Sequence, residues 1–145
     1  MSSLLPIARR LLRVGILSLF ATAMTGMLGC EMQPTKIEKD DRVLVNDANY
    51  EATVEKSSKP VVMEFHADWC GPCRATEPAV AALSVEMPDV VFAKIDVDEA
   101  VELAVKYEVS SIPCFIFFKD GQVVGRSTGS LSKSKLESLI AEHLK

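Results

Sequence analysis

The chain has 145 residues, 48% of them apolar, with 16 basic and 20 acidic side chains and a net charge of −4. This is ordinary globular composition and enough for one domain with a real core. Arg9, Arg10 and Arg13 are the only charged residues before position 30, so residues 30–145 carry a net of −7; an acidic domain with one tryptophan and two tyrosines lacks both the basic stripe and the stacking platform of a nucleic-acid binder.

Residues 1–29 follow the plan of an export signal: basic residues, an apolar run from Val14 to Leu28, small residues, then Cys30. The run is short for a spanning helix, which wants about 20 residues. Met27-Leu28-Gly29-Cys30 resembles the lipobox of bacterial lipoproteins, whose cysteine is lipidated and becomes the mature N-terminus. Leu28 and Met27 depart from the preferred residues of that motif, whereas Gly29-Cys30 fits. An uncleaved anchor, plain secretion and an organelle transit peptide are the alternatives. Positive charge ahead of the apolar run sends the following domain out of the cytoplasm. The expected location is therefore a bacterial cell envelope, membrane-anchored through Cys30 or the apolar segment, with the domain facing the periplasm or extracytoplasmic space. Residues 30–41 are polar and aperiodic and read as a tether.

The domain is expected over residues 42–145. Arg42 to Val45 reads as a short strand, and Asn46 or Asp47 as the cap of a helix reaching Lys56. Val61 to His66 is a mostly apolar run, as in a central strand covered on both faces. Cys73 to Met87 reads as a helix with a kink at Pro78. Val90 to Asp96 is a strand, and Asp98-Glu99 opens a helix through Tyr107. Cys114 to Lys119 and Gln122 to Arg126 form a hairpin across Asp120-Gly121. Ser132 begins a last amphipathic helix through Leu144, with Leu136, Leu139 and Ile140 inward. The order βαβαβαββα implies an α/β fold, a mixed sheet with helices on both sides.

Trp69-Cys70-Gly71-Pro72-Cys73 lies between the central strand and the next helix. Cys70 then falls near a helix N-terminus, where free N–H groups and the helix dipole favour a thiolate. That thiolate is the nucleophile of disulfide exchange. A zinc site needs two more ligands, and Cys30, Cys114, His66 and His143 lack the spacing. A structural disulfide closed over two residues would be a poor staple. With no flavin, nicotinamide or metal motif, the cysteines are the whole redox apparatus, and no cofactor is expected.

Several separated segments resemble thioredoxin: Phe65-His66-Ala67-Asp68 leading into the CxxC motif, Pro78, Lys94-Ile95-Asp96, Ser111-Ile112-Pro113, Phe118-Lys119-Asp120-Gly121 and Gly129. The resemblance implies a thioredoxin fold and the following roles. Cys70 attacks the substrate and Cys73 resolves the mixed disulfide. Trp69 flanks the site, Pro72 tunes its redox potential, and both, with Gly71, face the substrate. Pro113 is a cis-proline facing the cysteines, with the Ile112 backbone pairing with the substrate and Gly129 beside them. Glu64 stands where the family has a buried aspartate and, with Lys94, would relay the proton of Cys73. Cys114 replaces the usual threonine after the proline, as an inert buried thiol or a third redox thiol. His66 occupies a slot that often holds an aromatic residue.

The activity implied is reduction of protein disulfides by a monomer, Gly-Pro between the cysteines being typical of reducing members. A reductant in an oxidising compartment needs a supply of electrons, which implies a transmembrane thiol-electron carrier as partner. The alternative class is a binding or chaperone module with incidental redox activity.

Overall fold

The fold comes from a computed structural model that describes residues 39–145. The expected signal, Cys30 and most of the tether lie outside the described residues; no helix among the described residues is long and apolar enough to cross a membrane.

Five strands make one mixed sheet: β1 (Val43–Leu44), β2 (Val61–His66), β3 (Val91–Asp96), β4 (Cys114–Lys119) and β5 (Gln122–Thr128), in the spatial order β1-β3-β2-β4-β5. β1, β3 and β2 run parallel, and β4 and β5 are antiparallel to their neighbours. β2 is the middle strand and every one of its residues is buried. Alternation along the strands sorts the core into two layers. Met63, Phe65, Ile95, Ile116 and Phe118 face one way, toward Tyr50, Val54 and Leu103. Val62, Phe92, Phe115 and Phe117 face the other, toward helices α1 (Gly71–Glu86) and α3 (Lys133–Leu144). Helix α2 (Val101–Lys106) covers the first layer.

The element order matches the sequence expectation, with local corrections. The segment after β1 is a π-helical turn, Glu51–Glu55, rather than an α-helix to Lys56. Asn46 caps its approach, its side chain accepting from the Ala48 and Asn49 N–H groups. Helix α1 starts at Gly71, inside the CxxC motif, and continues across Pro78 to Glu86. Asp98 and Glu99 form a turn ahead of α2 instead of its first residues, because the Asp96 carbonyl accepts the N–H groups of Glu99 and Ala100. β5 runs two residues past Arg126, with a register shift at Phe117/Phe118. Ser132 caps α3 as expected, and Leu136, Leu139 and Ile140 are buried.

At the hairpin tip Asp120 (φ 52°) and Gly121 (φ 72°) are both left-handed, the conformation that a two-residue hairpin loop demands. A Cβ on Gly121 would stand 2.6 Å from the Glu55 carbonyl oxygen. Gly121→Ala therefore meets both backbone strain and a clash. It is expected to cost about 1–3 kcal/mol, read as a lower urea midpoint with an unchanged slope.

Candidate active site

β2 ends at His66, and the chain turns through Ala67-Asp68-Trp69 into α1. Cys70 is the N-cap of α1, and its sulfur accepts the N–H of Cys73 at 3.1 Å. Sulfur thus takes the place of the oxygen that usually satisfies a first-turn donor. Pro72 suits the first turn, where an N–H would lack a helical partner. Cys70 and Cys73 are joined as a disulfide, with their Cα atoms 5.3 Å apart. Both cysteines are buried in this oxidised form, 3% and 4% exposed.

Three further segments converge on the sulfurs. The Ile112–Pro113 peptide is cis, and the Ile112 carbonyl oxygen lies 3.9 Å from Cys70 Sγ. Gly129, left-handed at φ 96°, donates its N–H to the Pro113 carbonyl at 2.8 Å. Gly71 and Pro72 are exposed, and the Pro72 carbonyl accepts from Ser130 Oγ and Thr76 Oγ1. Trp69 is 67% exposed, its indole N–H bound to Asp98 at 2.7 Å. With Val97, Val109, Ser110, Ser111 and Ile112 it lines a shallow depression beside Cys70. Cys114 is fully buried, its sulfur 4.0 Å from Thr128 Oγ1.

On the other side of the disulfide a polar cavity of about 290 Å³ is lined by Arg42, Glu64, His66, Asp68, Cys73, Arg74, Glu77 and Lys94. Glu64 and Lys94 are paired in the β2–β3 register, so their side chains leave the same face of the sheet. They do not bond to each other. Lys94 Nζ donates to Glu77 at 2.8 Å, and the direct partner of Glu64 is Arg42, at 3.4 Å. Glu64 and Lys94 thus line one cavity with Cys73 without a direct ion pair between them. Arg42 Nη2 also donates to Glu77 at 2.9 Å and to Asp40 at 2.6 Å.

The sequence reading took Arg42 only as the start of a strand and passed over Glu77. The one available signal was the need of a buried carboxyl for a cation.

Burial pushes the Glu64 pKa up from 4.5 to about 7 against the opposing charges of Arg42 and Lys94, with Glu77 adding to the rise. Burial, aided by Lys94, lowers the His66 pKa against the pull of Asp96, Glu77 and Asp68. Among the described residues, His66, Asp68 and Asp96 are the group whose donor atoms approach within 4.8 Å in a manner suited to a metal ion. The Lys94 charge acting on the imidazole opposes a cation there. The arrangement as a whole is a dithiol/disulfide pair at a helix start, flanked by a backbone edge and backed by a buried acid.

The Thioredoxin family model matches residues 41–142. The chain belongs to the thioredoxin family. It is 41% identical over 100 residues to the thioredoxin of Chlamydia trachomatis, covering 69% of this chain and 96% of that one. It is 42% identical over 103 residues to the thioredoxin of Mycobacterium tuberculosis, covering 70% and 89%. A match to the thioredoxin of Rhodospirillum rubrum is 44% identical over 93 residues, covering 63% and 89%. With the Cys70–Cys73 pair, these relatives make the chain a thiol–disulfide oxidoreductase of the protein-disulfide reductase type.

A raised carboxyl pKa has a definite sign in stability. The folded protein holds the Glu64 proton more tightly than the unfolded chain, so stability is lost as pH climbs from 4.5 to about 7. At about 1.4 kcal/mol per pH unit the full penalty is on the order of 3 kcal/mol. Glu64→Gln is neutral at every pH. Its stability relative to wild type is expected to rise between about pH 4 and about pH 8, measured by urea unfolding across that range. A difference independent of pH would show that Glu64 does not titrate in the fold.

Proposed function

We propose that this chain is a membrane-tethered reductase of protein disulfides acting outside the cytoplasm. The observation that carries the redox part is the Cys70–Cys73 pair at the N-terminus of α1, with the Ile112 carbonyl against Cys70 Sγ. The location is supported by the order Arg9-Arg10-Arg13, apolar run, Gly29-Cys30.

In the reduced protein the Cys73 N–H and the helix dipole stabilise a thiolate on Cys70. That thiolate attacks one sulfur of a substrate disulfide, forms a mixed disulfide and expels the other sulfur as a thiolate. The substrate backbone lies along the Ile112 edge and its side chains against Trp69. Cys73 then gives its proton to the Glu64 carboxylate, across a cavity with room for a bridging water. The Cys73 thiolate attacks Cys70 Sγ, closes the Cys70–Cys73 disulfide and releases the second substrate thiolate. Two electrons pass to the substrate, whose thiolates take protons from solvent. A transmembrane thiol-electron carrier restores the dithiol.

Trapping tests the chemistry. Cys73→Ser is expected to accumulate mixed disulfides on Cys70, and Cys70→Ser none, while both lose insulin reduction. An active Cys70→Ser variant would overturn the assignment.

The tether is tested separately. Cys30→Ala is expected to abolish incorporation of labelled fatty acid and leave residues 1–29 on the chain, as seen by intact mass. Lipid labelling equal to wild type would rule out lipidation at Cys30.

A further inference from the structure

We infer that Arg42, rather than Lys94, is the residue that positions and charges the Glu64 carboxylate for its proton exchange with Cys73. The inference rests on the proton-acceptor reading of Glu64 given above. Arg42 comes from the segment before β1, and its side chain is 3% exposed. Asp40 clamps it: the guanidinium reaches both Asp40 carboxylate oxygens, at 2.9 Å and 3.1 Å from Nε and 2.6 Å from Nη2. The planar fork is thereby fixed, with Nη1 toward Glu64 and Nη2 toward Glu77.

Lys94 is the nearer residue by strand register, but its ammonium bonds to Glu77. Glu77 of α1 therefore bridges the two cations and offsets much of the Lys94 charge. The groups around Glu64 are Arg42, with Asp40 behind it, Lys94 on β3, Glu77 and Cys73 on α1, and His66 on its own strand, with Asp68 and Arg74 lining the same cavity. The β4 partner across the sheet is the apolar Phe115. Only Arg42 in this set is a cation in direct contact with the Glu64 carboxylate. Its distance of 3.4 Å is long for a strong hydrogen bond. The contact is mainly Coulombic: it favours the ionised carboxylate while leaving lone pairs for an incoming proton.

The resolving step can be followed by stopped-flow fluorescence of Trp69, the single tryptophan, with a model disulfide across a range of pH. If Glu64 must be ionised, the rate climbs with pH through its titration. Arg42→Gln is expected to move that midpoint upward by about one pH unit or more. At neutral pH, where about half of Glu64 is ionised in the wild type, this is a loss of roughly fivefold in the resolving rate, and roughly tenfold well below the midpoint. Arg42→Lys should bring most of the shift back, and Lys94→Gln should move the midpoint less than Arg42→Gln does. In a Glu64→Gln background, Arg42→Gln should produce no shift, an outcome that general damage to the fold would not give. If Arg42→Gln fails to fold, Arg42→Met, which retains the buried stem, carries the same test.

An unmoved midpoint in Arg42→Gln, while Glu64→Gln removes the pH step, overturns the role of Arg42 and leaves that of Glu64 standing. A larger shift from Lys94→Gln, or no recovery with Arg42→Lys, also overturns it. A wild-type profile in Glu64→Gln overturns both readings.

Discussion

A carboxyl group on the central strand of a sheet covered on both faces is the costliest feature of this fold, and the polar side of the site is organised around it. β2 is otherwise apolar over Val61–Phe65, and Glu64 is 2% exposed. Left alone, such a group would stay protonated. Here the segment before β1 brings Arg42 against it, α1 supplies Glu77, and β3 supplies Lys94. Burial still outweighs the cations, and the pKa stands at about 7. A group so poised exchanges protons readily at physiological pH. The same ion pairs tie the N-terminal segment to α1, so the polar cavity is also a joint between elements distant in sequence.

The cysteine side depends on a different device. α1 opens at Gly71, directly after Cys70, so Cys70 caps the helix with its sulfur. The capping N–H is that of Cys73 itself. One short segment thus supplies both cysteines of the redox pair and the N–H that bonds to the first sulfur. Ile112 and Pro113 arrive from the loop before β4, held by the bond from Gly129 to the Pro113 carbonyl. Because β4 pairs with β2 directly, that loop falls beside the start of α1. The sheet order therefore sets both sides of the site.

Much of this was legible in the sequence, because local chemistry determines it. The mostly apolar run Val61–His66 marked β2, Asp120-Gly121 marked the hairpin that includes β4, and Trp69 to Cys73 marked the redox centre. The misses share a physical origin. The π-helical turn depends on the Lys56 N–H reaching the Glu51 carbonyl, five residues back, and the apolar pattern does not distinguish it from an α-helix. Asp98 looked like a helix-opening acid, but tertiary contact gave it to the Trp69 indole. The roles of Arg42 and Glu77 were not legible because Glu64 lies 22 residues from Arg42, and Lys94 lies 17 residues from Glu77 along the chain. Nothing in local spacing shows which cation will settle beside a buried acid. The resemblance pointed to Lys94, which lies beside Glu64 in register but bonds to Glu77.

The choice of glutamate over aspartate at position 64 fits this network. Its extra methylene carries the carboxylate about 1.5 Å farther from the backbone of β2. Glu64 Oε2 reaches to 3.4 Å from Arg42 Nη1, near the outer limit of an ion pair. An aspartate on the same backbone would fall short of that limit and keep its desolvation cost with less compensation. Glu77 follows the same logic from the opposite wall: it bonds to both Lys94 and Arg42 and draws the ammonium away from Glu64. With Lys94 so engaged, a clamped guanidinium and a longer acid complete the contact. The length of Glu64 and the clamp on Arg42 together place a partly compensated carboxyl in the cavity that Cys73 lines.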